Sequence, residues 1–353
     1  MLQRWQYFLP QNYPAALLAL VVATGGIAGY SHSVGAQLFD DPLYAPTNNG
    51  TQGSSREEAD RLVRFGGEAE KQRQYRKAID YWLQAADIYQ RLGETQALGQ
   101  TYDFLGMTYL KLDRIDAAER YLRMRLGVAR DRNDFRGQIF GYNNVGTILL
   151  QYDNFQGAET AFREALAIAE SIDSNEGEGL SRSNLGLLAV RRGNYIEAIK
   201  QYESAIQYRR RASDPLGEIN SRNGLGDAYF AAGNYKEAQI SYGIARQLAR
   251  EAIDPTGSLN ATIGLARAYL AGGKTEAALT ELKRWAALAK ENGQPDRELI
   301  ALRLTGQVYH RMGDWTRAYQ FFQQALESAV ANQDTQQEAF LRNEIERVLY
   351  RLP

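Results

Sequence analysis

One spacing dominates the sequence. Gly66, Gly106, Gly146, Gly186 and Gly226 lie 40 residues apart, and Ala266 and Gly306 continue the series. Twelve residues after each stands an alanine: Ala78, Ala118, Ala158, Ala198, Ala238, Ala278 and Ala318. Four residues further comes a large apolar side chain: Trp82, Leu122, Phe162, Tyr202, Tyr242, Leu282 and Phe322. Another three bring Ala85, Ala165, Ala205, Ala245 and Ala325, with Arg125 and Trp285 as the interruptions. A period of this length in register marks a stacked repeat, in which each unit buries its apolar face only against its neighbours.

Each period reads as a helical hairpin. The first helix places apolar residues at helical spacing, as in Tyr102, Leu105 and Tyr109. The turn contains Gly193-Asn194-Tyr195 or Gly233-Asn234-Tyr235, and elsewhere Asp113-Arg114-Ile115, Asp153-Asn154-Phe155 or Gly313-Asp314-Trp315. Glycine or Asp/Asn breaks the helix, and the aromatic residue packs back on the hairpin. The second helix carries Ala198, Tyr202 and Ala205 on one face, where small residues let helix axes approach closely.

Leu225-Gly226, Tyr229, Ala238, Tyr242 and Ala245 together resemble the tetratricopeptide repeat, and the likeness runs from Ser55 to about Gln333. The 40-residue unit is similar to the long-helix class of G-protein-signalling modulators and kinesin light chains. Gly177 to Asn184-Leu185-Gly186 is comparable to the entry motif of that class. Ala69 and Ala189 depart from it at the first-helix tyrosine, and Arg125 and Trp285 at a small alanine, in the second and sixth repeats. The resemblance implies an all-α, right-handed α-solenoid of seven helical hairpins over residues 55–334. Residues 335–353 are expected to form a capping helix, since a terminal repeat lacks an outer neighbour. Ala339, Ile345, Val348 and Leu349 would cover the last repeat, and Arg342, Asn343, Glu346 and Arg347 would face water.

The N-terminal residues have a different character. Arg4 is the only charge in residues 1–36; Ala15 to Ala23 is apolar, and Val34-Gly35-Ala36 forms a small-residue cleavage pattern. This reads as a secretory signal over residues 1–36, placing the body in the periplasm or an equivalent extracytoplasmic compartment. The alternative is a membrane anchor over residues 15–30, which is shorter than the roughly 20 apolar residues of a spanning helix. Residues 37–54, with Pro42, Pro46, Asn48, Asn49, Gly50 and Gly53, read as a flexible linker. Ser55-Arg56-Glu57-Glu58 reads as a capping box that opens the first helix.

Composition closes off much chemistry. Among 353 residues there is no cysteine, and His32 and His310 are the two histidines. Thiolate sites, disulfides and histidine-rich metal sites are therefore excluded, and nothing calls for a cofactor. A formal net charge of -1 without a long basic block gives no general attraction to nucleic acid or anionic lipid, so no nucleic-acid partner is expected, and membrane contact only if the N-terminal segment stays uncleaved.

In the family resembled, first helices line a concave face along which a partner lies. Its positions fall six and three residues before the small residue, and one and four after it. The position two before the small residue adds Asn144 and Asn184, and the candidate groove centres on Phe140, Asn143, Thr147, Asn184, Asn220, Asn223, Asp227, Arg267, Arg303 and Gln307. Amides there suit capture of an extended peptide backbone, and Arg267 and Arg303 favour an acidic segment. The competing reading is that these are solvated polar residues on an exposed helix face. The expected function is a non-enzymatic scaffold that binds a protein or peptide, with a role in assembling an envelope or membrane complex. Self-assembly, or an all-α glycan-acting enzyme, are the alternatives.

Overall fold

A computed structural model describes residues 53–351. The expected export signal, its cleavage site and nearly all of the linker lie outside the described residues. Within them there are fifteen α-helices and no strand. In chain order these are α1 (Ser54–Lys71), α2 (Tyr75–Leu92), α3 (Thr95–Lys111), α4 (Ile115–Asp131) and α5 (Phe135–Gln151). Next come α6 (Phe155–Ser171), α7 (Asn175–Arg191), α8 (Tyr195–Arg211), α9 (Pro215–Ala231) and α10 (Tyr235–Glu251). The last five are α11 (Pro255–Ala271), α12 (Thr275–Glu291), α13 (Pro295–Met312), α14 (Trp315–Ala331) and α15 (Thr335–Leu349). In chain order α1 to α14 make seven successive helix–turn–helix repeats, and α15 follows them, as a helical repeat requires.

The turns have a finer period than the hairpins. A residue with positive φ recurs every 20 positions from Arg73 to Gln333, through Gly93, Asp113, Asn133, Asp153, Asp173, Gly193, Ser213, Gly233, Ile253, Gly273, Gly293 and Gly313. Such a residue ends a helix because its left-handed backbone turns the next N–H groups back onto the last carbonyls. At the first of the turns predicted from the sequence, Asp113 N–H donates to Leu110 O at 3.0 Å and Arg114 N–H to Tyr109 O at 2.9 Å. The residue after it then caps the next helix. The side chains of Asp134, Asn154, Ser174, Asp214, Asp254, Asp314 and Asp334 each accept from the backbone N–H three residues on.

At α1 the expected capping box does not form. Gly53 precedes the helix, and no side chain caps it. The first turn is held instead by Arg56, which is buried and pairs with Asp60 at 2.8 Å and with Glu94, before α3, at 2.7 Å. Tyr89 closes the network by donating to Asp60 at 2.7 Å.

The 40-residue signature is a packing rule. The large second-helix residue lies against the first-helix glycine of its own repeat. An added Cβ would come within 2.7 Å of Leu122 at Gly106, 2.5 Å of Phe162 at Gly146, 2.6 Å of Tyr242 at Gly226 and 2.7 Å of Phe322 at Gly306. Those distances leave no room for any other side chain. The same residue also reaches the following hairpin. Tyr202 lies on Gly224 and Tyr242 on Gly264, two positions before the next small residue. Tyr242, against both Gly226 and Gly264, fills the space between α9, α10 and α11.

The described chain divides into two compact units, residues 53–193 with 207–212, and residues 194–206 with 213–351. In the first, Trp82, Tyr89 and Leu105 centre one cluster, followed by clusters around Leu122 with Ile148 and Phe162 with Leu188. Arg125 keeps the second repeat in register by bonding Asp103 at 2.9 Å and Asp134 at 3.3 Å. In the second unit, Trp285 is buried in a cluster with Leu282, Leu299, Phe322, Leu341 and Val348. Neither interruption breaks the helix series. Helix α15 buries Leu341, Glu344 and Val348 against the last repeat, with Phe340 and Ile345 partly covered. Ala339 and Leu349, expected to face inward, are exposed. The helix is rotated to bring the larger Leu341 inside, which buries more apolar area than Ala339 could.

Candidate partner-binding face

The positions singled out by spacing divide by unit and by burial. In the first unit Asn143 is 0 % exposed and Asn184 4 %. Asn143 Nδ2 donates to Ile139 O at 2.9 Å and to Ser181 Oγ at 3.0 Å; Asn184 Nδ2 donates to Asn143 Oδ1 at 2.8 Å. The amides therefore tie α5 to α7 rather than facing a partner. Thr147 is also buried, its hydroxyl donating to Asn143 O at 2.9 Å. Phe140 is half-buried, with the Arg136 guanidinium 5.7 Å from its ring centre. The burial follows from the close approach of α5 and α7, where an added Cβ at Gly177 would come within 3.0 Å of Ile139.

Asn144, adjacent to Asn143, stands in contrast. It is 3 % exposed, and neither its Nδ2 nor its Oδ1 has a hydrogen-bond partner. Spacing placed Asn144 beside Asn143 on the same face, but the sequence does not show which member of the pair is bonded.

The second unit keeps more of the predicted set accessible. Asn220, Asp227, Arg267 and Gln307 are half-buried, while Asn223 and Arg303 are buried. Asn223 Nδ2 donates to Gly257 O at 3.4 Å, joining α9 to α11. Asp227 accepts from Tyr242 Oη at 2.6 Å and lies 3.8 Å from Arg267 Nη1. Burial raises its carboxyl above the ordinary 3.8, against the lowering effects of Arg267 and the tyrosine hydrogen bond. The Arg267 guanidinium also sits 4.7 Å from the ring centre of Phe230, which Tyr235 flanks at 5.5 Å. Phe230 and Tyr235 lie on successive helices of one hairpin. The Gly226/Tyr242 packing pair was the signal in the sequence for the Tyr242 contact.

Arg303 is the most unusual member. It is 6 % exposed, makes no ion pair among the described residues, and its Nε has no hydrogen-bond partner. Its guanidinium lies 5.5 Å from the Phe340 ring centre, on the capping helix, and desolvation lowers its proton affinity despite the field of Asp334. Beside it on α13, Gln307 Oε1 is also unpaired. His310, one turn on, makes an edge contact with Trp315 at 5.0 Å. No group of three or more His, Cys, Asp or Glu side chains able to hold a metal ion occurs among the described residues. No described helix is long and apolar enough to cross a membrane.

Sequence profiles of the tetratricopeptide repeat match residues 99–123, 139–211, 216–291 and 301–336. No curated protein matches the sequence. Among solved structures, the chain is similar to a signal transduction ATPase with a tetratricopeptide-repeat sensor from Pyrococcus horikoshii, at 18% identity and a TM-score of 0.60. That match covers 94% of this chain and 49% of the other, so the chain spans about half of that protein. It is also similar to aspartyl phosphate phosphatase F from Bacillus subtilis, at 15% identity, 78% and 71% coverage and a TM-score of 0.58. A third is the Rap conjugation gene regulator of the plasmid pLS20 in complex with the Phr* peptide, at 16% identity, 98% and 88% coverage and a TM-score of 0.55. At these identities the likeness is one of fold.

Proposed function

The chain belongs to the tetratricopeptide-repeat family, and from that premise we propose a non-enzymatic scaffold that binds an acidic segment of a partner protein on the first-helix face of its second unit. The observation that carries this reading is Arg303, a buried guanidinium that makes no ion pair among the described residues and whose Nε is unbonded. A cation in that setting gains most from a carboxylate, because the cost of removing it from water has already been met in the free protein. Gln307 offers an unpaired acceptor beside it for a backbone N–H, and Arg267 over Phe230 supplies a second cationic position. The similar plasmid regulator, solved with a peptide, supports peptide capture by this fold.

The reading extends to place and role as the sequence suggests them: outside the cytoplasm, in the assembly of an envelope or membrane complex. Absence of catalysis fits a face whose one titratable carboxylate, Asp227, is engaged by Tyr242 and Arg267. Calorimetric titration with acidic and charge-neutral peptides of equal length tests the binding claim. The acidic series is expected to bind, and Arg303→Met to weaken it by at least tenfold with the fold intact. Equal affinity of Arg303→Met for the acidic series would overturn the proposal. Fractionation with mass spectrometry of the native N-terminus tests location: a full-length chain in the cytoplasmic fraction would sink export.

A further inference from the structure

At the other end of the described chain, the first hairpin carries a surface unlike the rest. Residues 61–81 hold six basic side chains (Arg61, Arg64, Lys71, Arg73, Arg76 and Lys77) and three acidic ones (Glu68, Glu70 and Asp80). Glu70 is taken by Lys111 at 2.6 Å. Elsewhere in the protein arginines are commonly paired, as in Arg163 with Glu159, Arg222 with Glu218 and Arg342 with Glu338. Arg61, Arg64, Arg73, Arg76 and Lys77 are all exposed, and none makes an ion pair among the described residues.

An aromatic pair sits among these cations. Phe65, 47 % exposed, lies one helical turn from Arg61 on α1 and packs on Tyr81 of α2 with ring centres 5.7 Å apart. Lys77 Nζ sits 5.9 Å from the Tyr81 ring centre. An exposed ring among unpaired cations is the makeup of an interfacial segment: cations meet anionic headgroups while the ring enters the boundary beneath them. An acidic protein would use the cations but has no need of the open ring. Nucleic acid would need an open ring to stack on, whereas Phe65 is already packed against Tyr81. The hairpin is also the first described one in sequence after the apolar run Ala15–Ala23.

We propose that Arg61, Arg64, Phe65, Lys77 and Tyr81 form a docking surface for an anionic lipid bilayer. The site is separate from the partner face, and its test does not depend on that face. Since the chain has no cysteine, one can be introduced and labelled without background. Full-length Phe65→Cys and, as a remote control, Ile253→Cys are each labelled with bimane and mixed with phosphatidylglycerol-containing or pure phosphatidylcholine vesicles. Blue-shifted emission and quenching by brominated lipid are expected at position 65 with anionic vesicles, and none at position 253. Adding Arg61→Gln, Arg64→Gln and Lys77→Gln is expected to weaken the response about a hundredfold, at roughly a few-fold per cation. High salt should suppress it as well. The proposal is overturned by an equal response to neutral vesicles, an equal response at position 253, or an unchanged response in the triple variant. It is also overturned if duplex DNA or polyglutamate shifts the position-65 label while anionic vesicles do not.

Discussion

Asn143 and Asn144 are neighbours of one residue type, both buried in α5, and the structure gives opposite expectations for the same substitution. Leucine is nearly the shape of asparagine, with two methyl groups in place of the amide oxygen and nitrogen. Asn143→Leu removes two donated bonds and one accepted bond, and leaves the Asn184 Nδ2 buried without an acceptor. With the two donated bonds worth about 1 kcal/mol each and the orphaned buried donor costing about 1–3 kcal/mol, the loss is about 3–5 kcal/mol. Asn144→Leu breaks no bond, because both amide atoms are unpaired already, and it relieves a desolvation cost. A gain of about 1–2 kcal/mol is expected. Urea denaturation followed by circular dichroism reads both values, and hydrogen exchange localises them to α5 and α7. The double variant Asn143→Leu with Asn184→Leu should cost less than the two singles added, since both ends of the 2.8 Å bond go together. Equal shifts for Asn143→Leu and Asn144→Leu, or additive effects in the double variant, would refute the reasoning.

Three further expectations follow from particular residues. Ile253 is a β-branched residue at φ 54 and 87 % exposed, so Ile253→Gly should raise stability by about 1 kcal/mol in thermal or urea unfolding, with no contact to lose. Gly146→Ala puts a Cβ 2.5 Å from the Phe162 ring, and should cost about 2 kcal/mol, measured the same way. Burial, outweighing the ion pair with Arg125, raises the Asp103 carboxyl from 3.8 to about 6, so between these values the folded state holds a proton that the unfolded state has released. Its contribution to stability is therefore fully present below pH 3.8 and is lost as pH rises through about 6, by up to about 3 kcal/mol. Melting curves across that window should show the difference between the native chain and Asp103→Asn fall with rising pH; a difference constant in pH would exclude the effect.

The helical repeat was legible because it depends on local rules applied seven times. Glycine at Gly146 and Gly226 and a bulky residue 16 positions on are a knob and its hole within one hairpin, and their spacing is visible in the chain. The hairpin turns were legible for the same reason: Asp113, Asp153 and Gly193 are among the few residue types that enter the left-handed region easily. Ile253 was not, since only the 20-residue rhythm of the backbone reveals that a β-branched side chain holds such a place.

At the candidate face the helix positions of the residues were legible, and their burial was not. Spacing located Asn143, Asn184 and Asn223 on first helices, but the approach of the next hairpin turned those amides inward as ties between repeats. Arg303 became a desolvated cation because α15 lays Phe340 beside it, and nothing in the period of the repeats fixes how a capping helix is rotated. A 40-residue recurrence sets which residues share a face of a helix. How much of that face water still reaches depends on the distance to the next helix, which contacts between repeats decide.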